Sequence, residues 1–493
     1  MTRAARLHYN FTIMIDVLLK YGVAIHVALM IVYSSWARGG SSPVYLWALP
    51  WLSLGLLEIM LLMPPMRRTE TPQAAVKRLV KGLFLDPVTY ICIALVGFLA
   101  IQWLNGPCEL VEEASAASGW EYTQPPWPSL PFCVEQSEAV QVLIWFLAVS
   151  AAVLAIRHAM RPSARIFLLK LLVANGALLS ALGFAQVFSG TGKMFWYKPI
   201  PVYFFSTFGY PNHAGTFFTM MTALGIGLLV RALGDPEHRH DIGWLSLALF
   251  LNAAGIYGSL CRAAIVLGTL IIATGIVYGL VYLKVAGRLS TARLVAAAII
   301  VAAVATCAAI VAAVPGSPLK KEIDTIDFSN LASVYKGDRE ELAEAAVDIW
   351  KDHQWTGVGG WGFRRYVGLY MSPERWDYLQ ESGRANVHND ALQFLCEHGM
   401  IGFGLIVALA VALIAHALIR LPGIKRELNA VTGRPRPWFW SVSPCVWSVF
   451  AAAAVMAVHS TVDLPFRSIA NTLVWFAILA CLPGFMPKPR KED

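Results

Sequence analysis

The sequence predicts an all-α polytopic membrane protein with about twelve spanning helices, and three observations carry that prediction. Hydrophobic residues make up 57% of the 493 positions and charged residues only 14%, whereas about a quarter of a soluble globular chain is charged. The mean hydropathy is +0.58. The apolar residues fall in blocks of about 20, the length that carries a helix across roughly 30 Å of hydrocarbon. Several soluble domains would not segregate their apolar residues this way, and a β-barrel would show short alternating strands.

The expected spans are 13–34, 43–63, 86–104, 138–157, 166–188, 212–231, 242–260, 263–283, 293–314, 389–419, 443–462 and 467–486. An even number puts both termini on one side. Segments 1–12, 64–85, 158–165, 231–241, 284–293, 420–442 and 487–493, with Arg157 at a span border, hold 23 of the 39 Lys and Arg. The five short loops opposite hold only Arg38, Lys193, Lys198, Arg262 and Arg467. Basic residues are retained on the cytoplasmic side, so the expected orientation is N-in and C-in. The same bias accounts for the net charge of +8, which therefore does not indicate a nucleic-acid partner. Met1–Arg6 is basic but leads into a full span without a small-residue cleavage site, so no cleavable signal peptide is expected.

Four regions follow from this layout. Residues 1–137 hold spans one to three and an acidic external loop, and 138–314 hold spans four to nine. Residues 315–388 form one large external segment, and 389–493 hold the last three spans and a short tail. The loop 105–137 carries Glu109, Glu112, Glu113, Glu121 and Glu135 and no basic residue, which suits an external face. Its Cys108 and Cys133 could pair in an oxidising compartment or remain two buried thiols; spacing alone does not decide. Cys92, Cys261, Cys307, Cys396, Cys445 and Cys481 lie in or beside apolar spans and read as small core residues.

Pro315, Gly316 and Pro318 end the ninth span. Asp338 and Glu341 then open a helix over about 339–353, with Leu342, Ala345, Ala346, Ile349 and Trp350 at helical spacing. Gly357, Gly359, Gly360 and Gly362 form a turn-rich stretch ending at Arg364 and Arg365. No internal repeat or low-complexity tract is present.

Four polar constellations fall on the expected external side. Phe208-Gly-Tyr-Pro-Asn212-His213 enters the sixth span, where Pro211 and Asn212 also read as a plain helix start. Arg262 is the one charge in the hairpin after Ser259. It could snorkel to the interface, but a charge so placed is a functional candidate by default. Lys336, Arg339, Arg364, Arg365, Arg375 and Arg384 populate the long segment. Most loop charges are solvated surface, yet several guanidinium forks converging from different loops suit a phosphate-bearing ligand. The fourth constellation is Asn386-Val-His388-Asn389-Asp390, continuing through Gln393 to Glu397-His-Gly399. With His388 at the first turn of the tenth helix, the helix N-terminus would disfavour imidazolium and leave a neutral ring, the form a general base needs. His459-Ser-Thr-Val-Asp463-Leu-Pro-Phe-Arg467 faces the same side. No Walker loop, CxxC pair, HExxH or GxSxG elbow is present. Asp324 and Asp327 alone are weak evidence for a metal.

His388-Asn-Asp-Ala-Leu-Gln-Phe-Leu-Cys-Glu397-His-Gly399-Met-Ile-Gly402 resembles the signature of the O-antigen ligase and O-antigen polymerase superfamily. Thr356-Gly-Val-Gly-Gly-Trp-Gly-Phe363, the Arg339 helix, Arg262 and the Asn212-His213 entry fit in order, over roughly 140–485. The resemblance implies a membrane glycosyltransferase of the C-type fold in the bacterial inner membrane, with its site facing the periplasm. It would move a glycan from undecaprenyl diphosphate to a hydroxyl of a lipid A-core or polysaccharide acceptor. His388 would be the base. Arg262, Arg339 and one of Arg364 or Arg365 would neutralise the diphosphate. Asn212, His213, Asn389, Asp390, Glu397, His459, Asp463 and Arg467 would support them. Because diphosphate is a good leaving group, inversion is the simple expectation, with no metal or other cofactor called for. No external Arg has Gly at the spacing that marks one polymerase subtype, and no long C-terminal extension follows the last span, which leans the reading toward glycan ligation or polymerisation on a lipid or polysaccharide acceptor. The competing class is a lipid-linked sugar flippase, which would call for midplane charges, broken helices and often internal repeats.

Overall fold

The computed structural model of the chain describes residues 3–40, 47–62, 64–66, 70–112, 120–200, 203–291, 318–324, 337–381, 385–420, 429 and 431–485. Helices α1 (Arg3–Trp36), α2 (Ala48–Leu62), α3 (Pro72–Leu85) and α4 (Pro87–Leu104) come first. A small hairpin, β1 (Leu110–Glu112) and β2 (Trp120–Tyr122), follows in the acidic loop, pairing Leu110 with Tyr122. Next come α5 (Gln136–His158), α6 (Pro162–Phe188), the hairpin β3 (Lys193–Met194) and β4 (Lys198–Pro199), α7 (Pro211–Gly234), α8 (Ile242–Gly258) and α9 (Arg262–Val285). The long segment before α14 supplies α10 (Pro318–Asp324), α11 (Asp338–Asp352), α12 (Phe363–Tyr366) and α13 (Pro373–Glu381). Helices α14 (Asp390–Leu418), α15 (Pro444–His459) and α16 (Ile469–Cys481) complete the chain.

Proline sets many of the starts. Pro72, Pro87, Pro162, Pro211 and Pro444 each open a helix at its first turn, where the missing N–H costs nothing and the fixed φ already suits the helix. Thr71 and Asp86 cap two of these, accepting from Ala74 N and Val88 N.

Among the described residues, α4, α5, α6, α7, α9 and α14 are long and apolar enough to cross a membrane. Helices α2, α15 and α16 are apolar but shorter. Every expected span except the ninth coincides with a helix; 293–314 lies outside the described residues. Segment 64–85, read as a connection, contains the helix α3.

Two helices form the centre. All of α16 from Ile469 to Cys481 is buried, and α7 buries most of its length. Small residues let neighbours approach α7: a methyl at Gly215 would stand 2.5 Å from Ala264 Cβ and 2.8 Å from Cys261 Cβ, both on the α9 side. Such close backbone packing, rather than apolar burial, is what holds helices together within lipid. Several buried polar groups in these spans are bonded across helices, as with Trp36 Nε1 to Asn175 Oδ1 at 2.9 Å and Asn252 Nδ2 to Val173 O at 3.0 Å.

The expected 339–353 helix is α11, and its Leu342, Ala345, Ala346 and Ile349 pack with Val358, Phe363, Leu379 and Cys396 into a second, smaller core. That core rests on the start of α14, which is broken at Gly399 (φ 61°, ψ −171°), a backbone state open essentially to glycine alone. The groups freed by the break are taken up by residues 354–359. Met400 N donates to Gln354 O at 2.8 Å, Ile401 N to Trp355 O at 3.1 Å, and Gly359 N to Glu397 O at 2.8 Å. Gln102 in α4 closes the remainder, with Nε2 donating to Thr356 O and Glu397 O. The glycine-rich stretch thus satisfies the buried backbone groups that a broken helix would otherwise leave unpaired.

Candidate active site

The polar constellations meet at one end of the bundle, where α7, α9, α14 and α16 begin and α15 ends. Asp463, in the turn between α15 and α16, is the hub. Tyr210 OH donates to its Oδ1 at 3.0 Å, Leu464 N donates to Oδ1 at 2.7 Å, and Asn212 Nδ2 donates to Oδ2. His388 Nδ1 lies 3.6 Å from Asp463 Oδ1. Burial pushes the Asp463 carboxyl up, but the imidazole of His388 and the nearby His459 outweigh it and hold it well below the usual carboxylate range. Burial and the charge of Asp463 push the Tyr210 phenol far up, so it stays a donor.

His388 itself is not in the first turn of α14, as expected, but two residues before Asp390, and Asn389 is the cap that accepts from Leu392 N. The helix-terminus argument for a neutral ring therefore does not apply directly. The backbone adds a different feature: His388 has φ 55°, a left-handed conformation unusual for a residue other than glycine. The 388–397 stretch grips the turn between α15 and α16. Asp390 N donates to Ser460 O at 2.9 Å, Asn389 Nδ2 to Thr461 O at 3.2 Å, and Phe466 N to Asp390 Oδ2 at 2.8 Å. Arg339 reaches the same turn, with Nη1 donating to Val462 O at 3.0 Å.

A second group lies deeper. Arg467, 2% exposed, donates from Nη2 to Glu397 Oε2 at 2.6 Å, and its Nε is 3.9 Å from Asp390 Oδ1. Its guanidinium stands over Trp361 at 4.6 Å and Phe394 at 4.9 Å. Arg364 stands over the same indole at 4.3 Å, and burial draws its pKa below the ordinary guanidinium value. Arg365 instead approaches Glu138 at 3.5 Å. The geometry separates the two arginines that the sequence left as alternatives: Arg364 joins the stack with Arg467, and Arg365 does not.

Arg262 opens α9, half exposed and 3.7 Å from Glu322. The Cys261 side chain caps that helix, accepting from Ala264 N, and Leu260 before it has φ 56°. Behind it, Thr216 Oγ1 donates to Asn212 O at 2.9 Å and lies 2.6 Å from His459 Nδ1. His459 is thus held between Thr216 at Nδ1 and Cys261 Sγ, 3.8 Å from Nε2. His213 is bonded through Nε2 to Leu464 O at 3.0 Å and serves the packing of the turn.

Several sequence calls change. Of the two readings left open for Cys108 and Cys133, the structure has the buried free thiols, and Cys133 Sγ donates to Trp103 O at 3.6 Å. Asn212 does not cap α7, whose cap is Tyr210, but reaches Asp463. Arg375 pairs with Glu341 at 2.6 Å. Lys336, Arg384, Cys307 and Asp327 lie outside the described residues. Among the described residues no cluster of His, Cys, Asp and Glu is arranged to hold a metal ion. The sequence reading passed over Tyr210, Trp361, Gln102 and Glu138 as site residues. A polar Gln102 inside an apolar span, and Tyr210 two before Asn212, were the available signals.

Fold and site together define a helical membrane protein with a one-ended cluster of a histidine, carboxylates and arginines. Residues 247–407 match the family model described as O-Antigen ligase, which supports placing the chain in the O-antigen ligase and polymerase superfamily and supports a glycan-transferase type of activity. The matched stretch holds Arg262, Arg339, Arg364, Arg365, His388 and Glu397, while Asp463 and Arg467 lie beyond it. No curated protein matches the chain.

Proposed function

We propose that this chain transfers a glycan from an undecaprenyl diphosphate carrier to a hydroxyl of a lipid A-core or polysaccharide acceptor, on the face of the inner membrane opposite the basic loops. The observation that carries the reading is His388, held in left-handed backbone with Nδ1 turned toward buried Asp463, while Arg339 stands on the same turn. His388 Nε2 takes the proton from the acceptor hydroxyl as its oxygen attacks the anomeric carbon. The bond from that carbon to the diphosphate breaks, and the diphosphate leaves with the electron pair and inversion at carbon. Asp463 orients the ring and stabilises the imidazolium, the role a buried carboxylate plays behind a histidine base. Arg339, Arg262 at the rim and Arg364 supply positive charge as the diphosphate departs. A buried Arg467–Glu397 pair fixes the strand of residues that carries His388.

The one-sided arrangement favours an enzyme over a flippase. The break at Gly399 has its freed backbone groups bonded to residues 354–359 rather than left open. The test is transfer in vitro, with purified protein, an undecaprenyl-diphosphate-linked glycan and an acceptor. Product is expected with the native chain and not with His388→Ala. Full transfer by His388→Ala sinks the assignment, and translocation of the carrier without new glycosidic bonds supports the flippase instead. Deleting the gene separates the two transferase forms: loss of attachment marks a ligase, single-repeat products a polymerase.

A further inference from the structure

The hairpin β3–β4 lies outside the site and is built in an unusual way. Its tip is Phe195-Trp196-Tyr197, and Phe195 (φ 53°) and Trp196 (φ 65°) are consecutive non-glycine residues in the left-handed region. Tight hairpins normally place Asn or Gly at such positions, because a Cβ is strained there. The conformation is nevertheless firmly held. Buried Gln186 accepts from Phe195 N at 2.7 Å through Oε1 and donates to Ser206 O at 3.2 Å through Nε2, and Met194 is fully buried. Strain maintained this way points to a use for the side chains it presents. Those are Trp196, 47% exposed, and Tyr197, 71% exposed.

The surroundings identify what covers them. The hairpin continues directly from α6, whose outward flank carries Leu178 and Phe188, 63% and 84% exposed. An apolar flank of a membrane-crossing helix faces lipid. The aromatic tip thus stands where that flank ends, the depth at which Trp and Tyr settle between hydrocarbon and headgroups. Charge selects the headgroup. Lys193 and Lys198 flank the tip, and no Asp or Glu occurs anywhere between Glu138 and Asp235. A cationic hairpin with an amphipathic aromatic tip fits anionic lipid.

We infer that the β3–β4 hairpin is a lipid-interface anchor at the site end of the bundle, with Trp196 and Tyr197 seated among the lipids and Lys193 and Lys198 drawing anionic phospholipid headgroups. The inference does not depend on the reaction proposed above.

The test uses the full chain in liposomes of phosphatidylethanolamine with or without phosphatidylglycerol. Tyr197→Cys is labelled with an environment-sensitive fluorophore, and native chain treated identically gives the background. Blue-shifted emission, quenching by a lipid carrying a shallow nitroxide, and protection from aqueous iodide are expected. Lys193→Gln with Lys198→Gln, made in the same reporter, should lower the phosphatidylglycerol retained on the purified protein at least twofold, counted by native mass spectrometry. Water-like emission with iodide quenching overturns the proposal. So does emission that stays water-like in lipid but is shielded on adding glycan, which would make the tip a sugar platform. Unchanged phosphatidylglycerol retention in the double variant overturns the headgroup assignment.

Discussion

At the end of the bundle opposite the site, Asp86 takes Arg157 at 2.7 Å and His158 at 2.9 Å, and Arg157 also donates to His416 Nδ1 at 2.9 Å. Arg165 donates to Cys481 O and Ile156 O, and Arg420 to Pro483 O. These cations close the last carbonyls of helices, where positive charge is favoured. At the site end, Asp463 is served mainly by neutral donors and faces a histidine. The backbone differs too. Among the described residues, all seven non-glycine positions with positive φ (Arg38, Phe195, Trp196, Ser206, Leu260, Trp361 and His388) are at the site end. One end uses charge to finish helices. The other gathers charge and backbone strain in one place, as functional sites commonly do.

Histidine substitutions probe the contrast most strongly. His388→Ala should lower glycan transfer by about 10²–10⁴-fold, the usual contribution of a general base, with unchanged protein in the membrane. His416→Ala, at the other end, should leave transfer within about twofold, since it touches no part of the proposed chemistry. Comparable transfer losses in both variants would erase the distinction between the ends.

Removing one partner of a buried pair strands the other, at about 3–5 kcal/mol. Arg467→Met and Arg157→Met should both lower the thermal midpoint of the purified protein. Only Arg467→Met should also reduce transfer per folded molecule, because Glu397 then loses the pair that fixes the His388 stretch.

Acid sensitivity should be weighted toward the site. The Asp463 carboxyl is depressed in the folded chain, so its contribution to stability is complete above the unfolded value of about 4. It is lost as the pH falls further toward the folded value. Asp463→Asn should therefore flatten the decline of melting temperature below about pH 4, and an unaltered decline would contradict the assignment.

The smallest effect concerns strain alone. Leu260→Gly relieves a left-handed residue that costs roughly 1–2 kcal/mol, offset in part by lost side-chain contact. A net gain of up to about 1 kcal/mol in denaturant stability is expected, with lower transfer as Arg262 loosens.

Much of the architecture was legible in sequence because membrane insertion depends on transfer free energy summed over neighbouring residues. Hydropathy placed helices at α4 to α9 and α14 to α16, and Pro211, read as a helix start, opens α7 in the structure. The residues of the site were legible as types: His388, Asp463, Arg339 and Arg467 were all singled out. Their partners were not. Asp463 meets His388 and Tyr210 across large sequence separations, and which residues meet depends on how each helix is rotated and how closely small residues such as Gly215 let it approach. For the same reason the sequence could not assign Arg364 to the Trp361 stack and Arg365 to Glu138, or leave Cys108 and Cys133 apart. It also could not show the break at Gly399, which exists only because residues 354–359 and Gln102 take up the freed backbone groups. Local composition by itself determined the helices and which residues were chemically unusual; the tertiary structure alone decided the pairs, because a pair is set by packing between elements that no local sum contains.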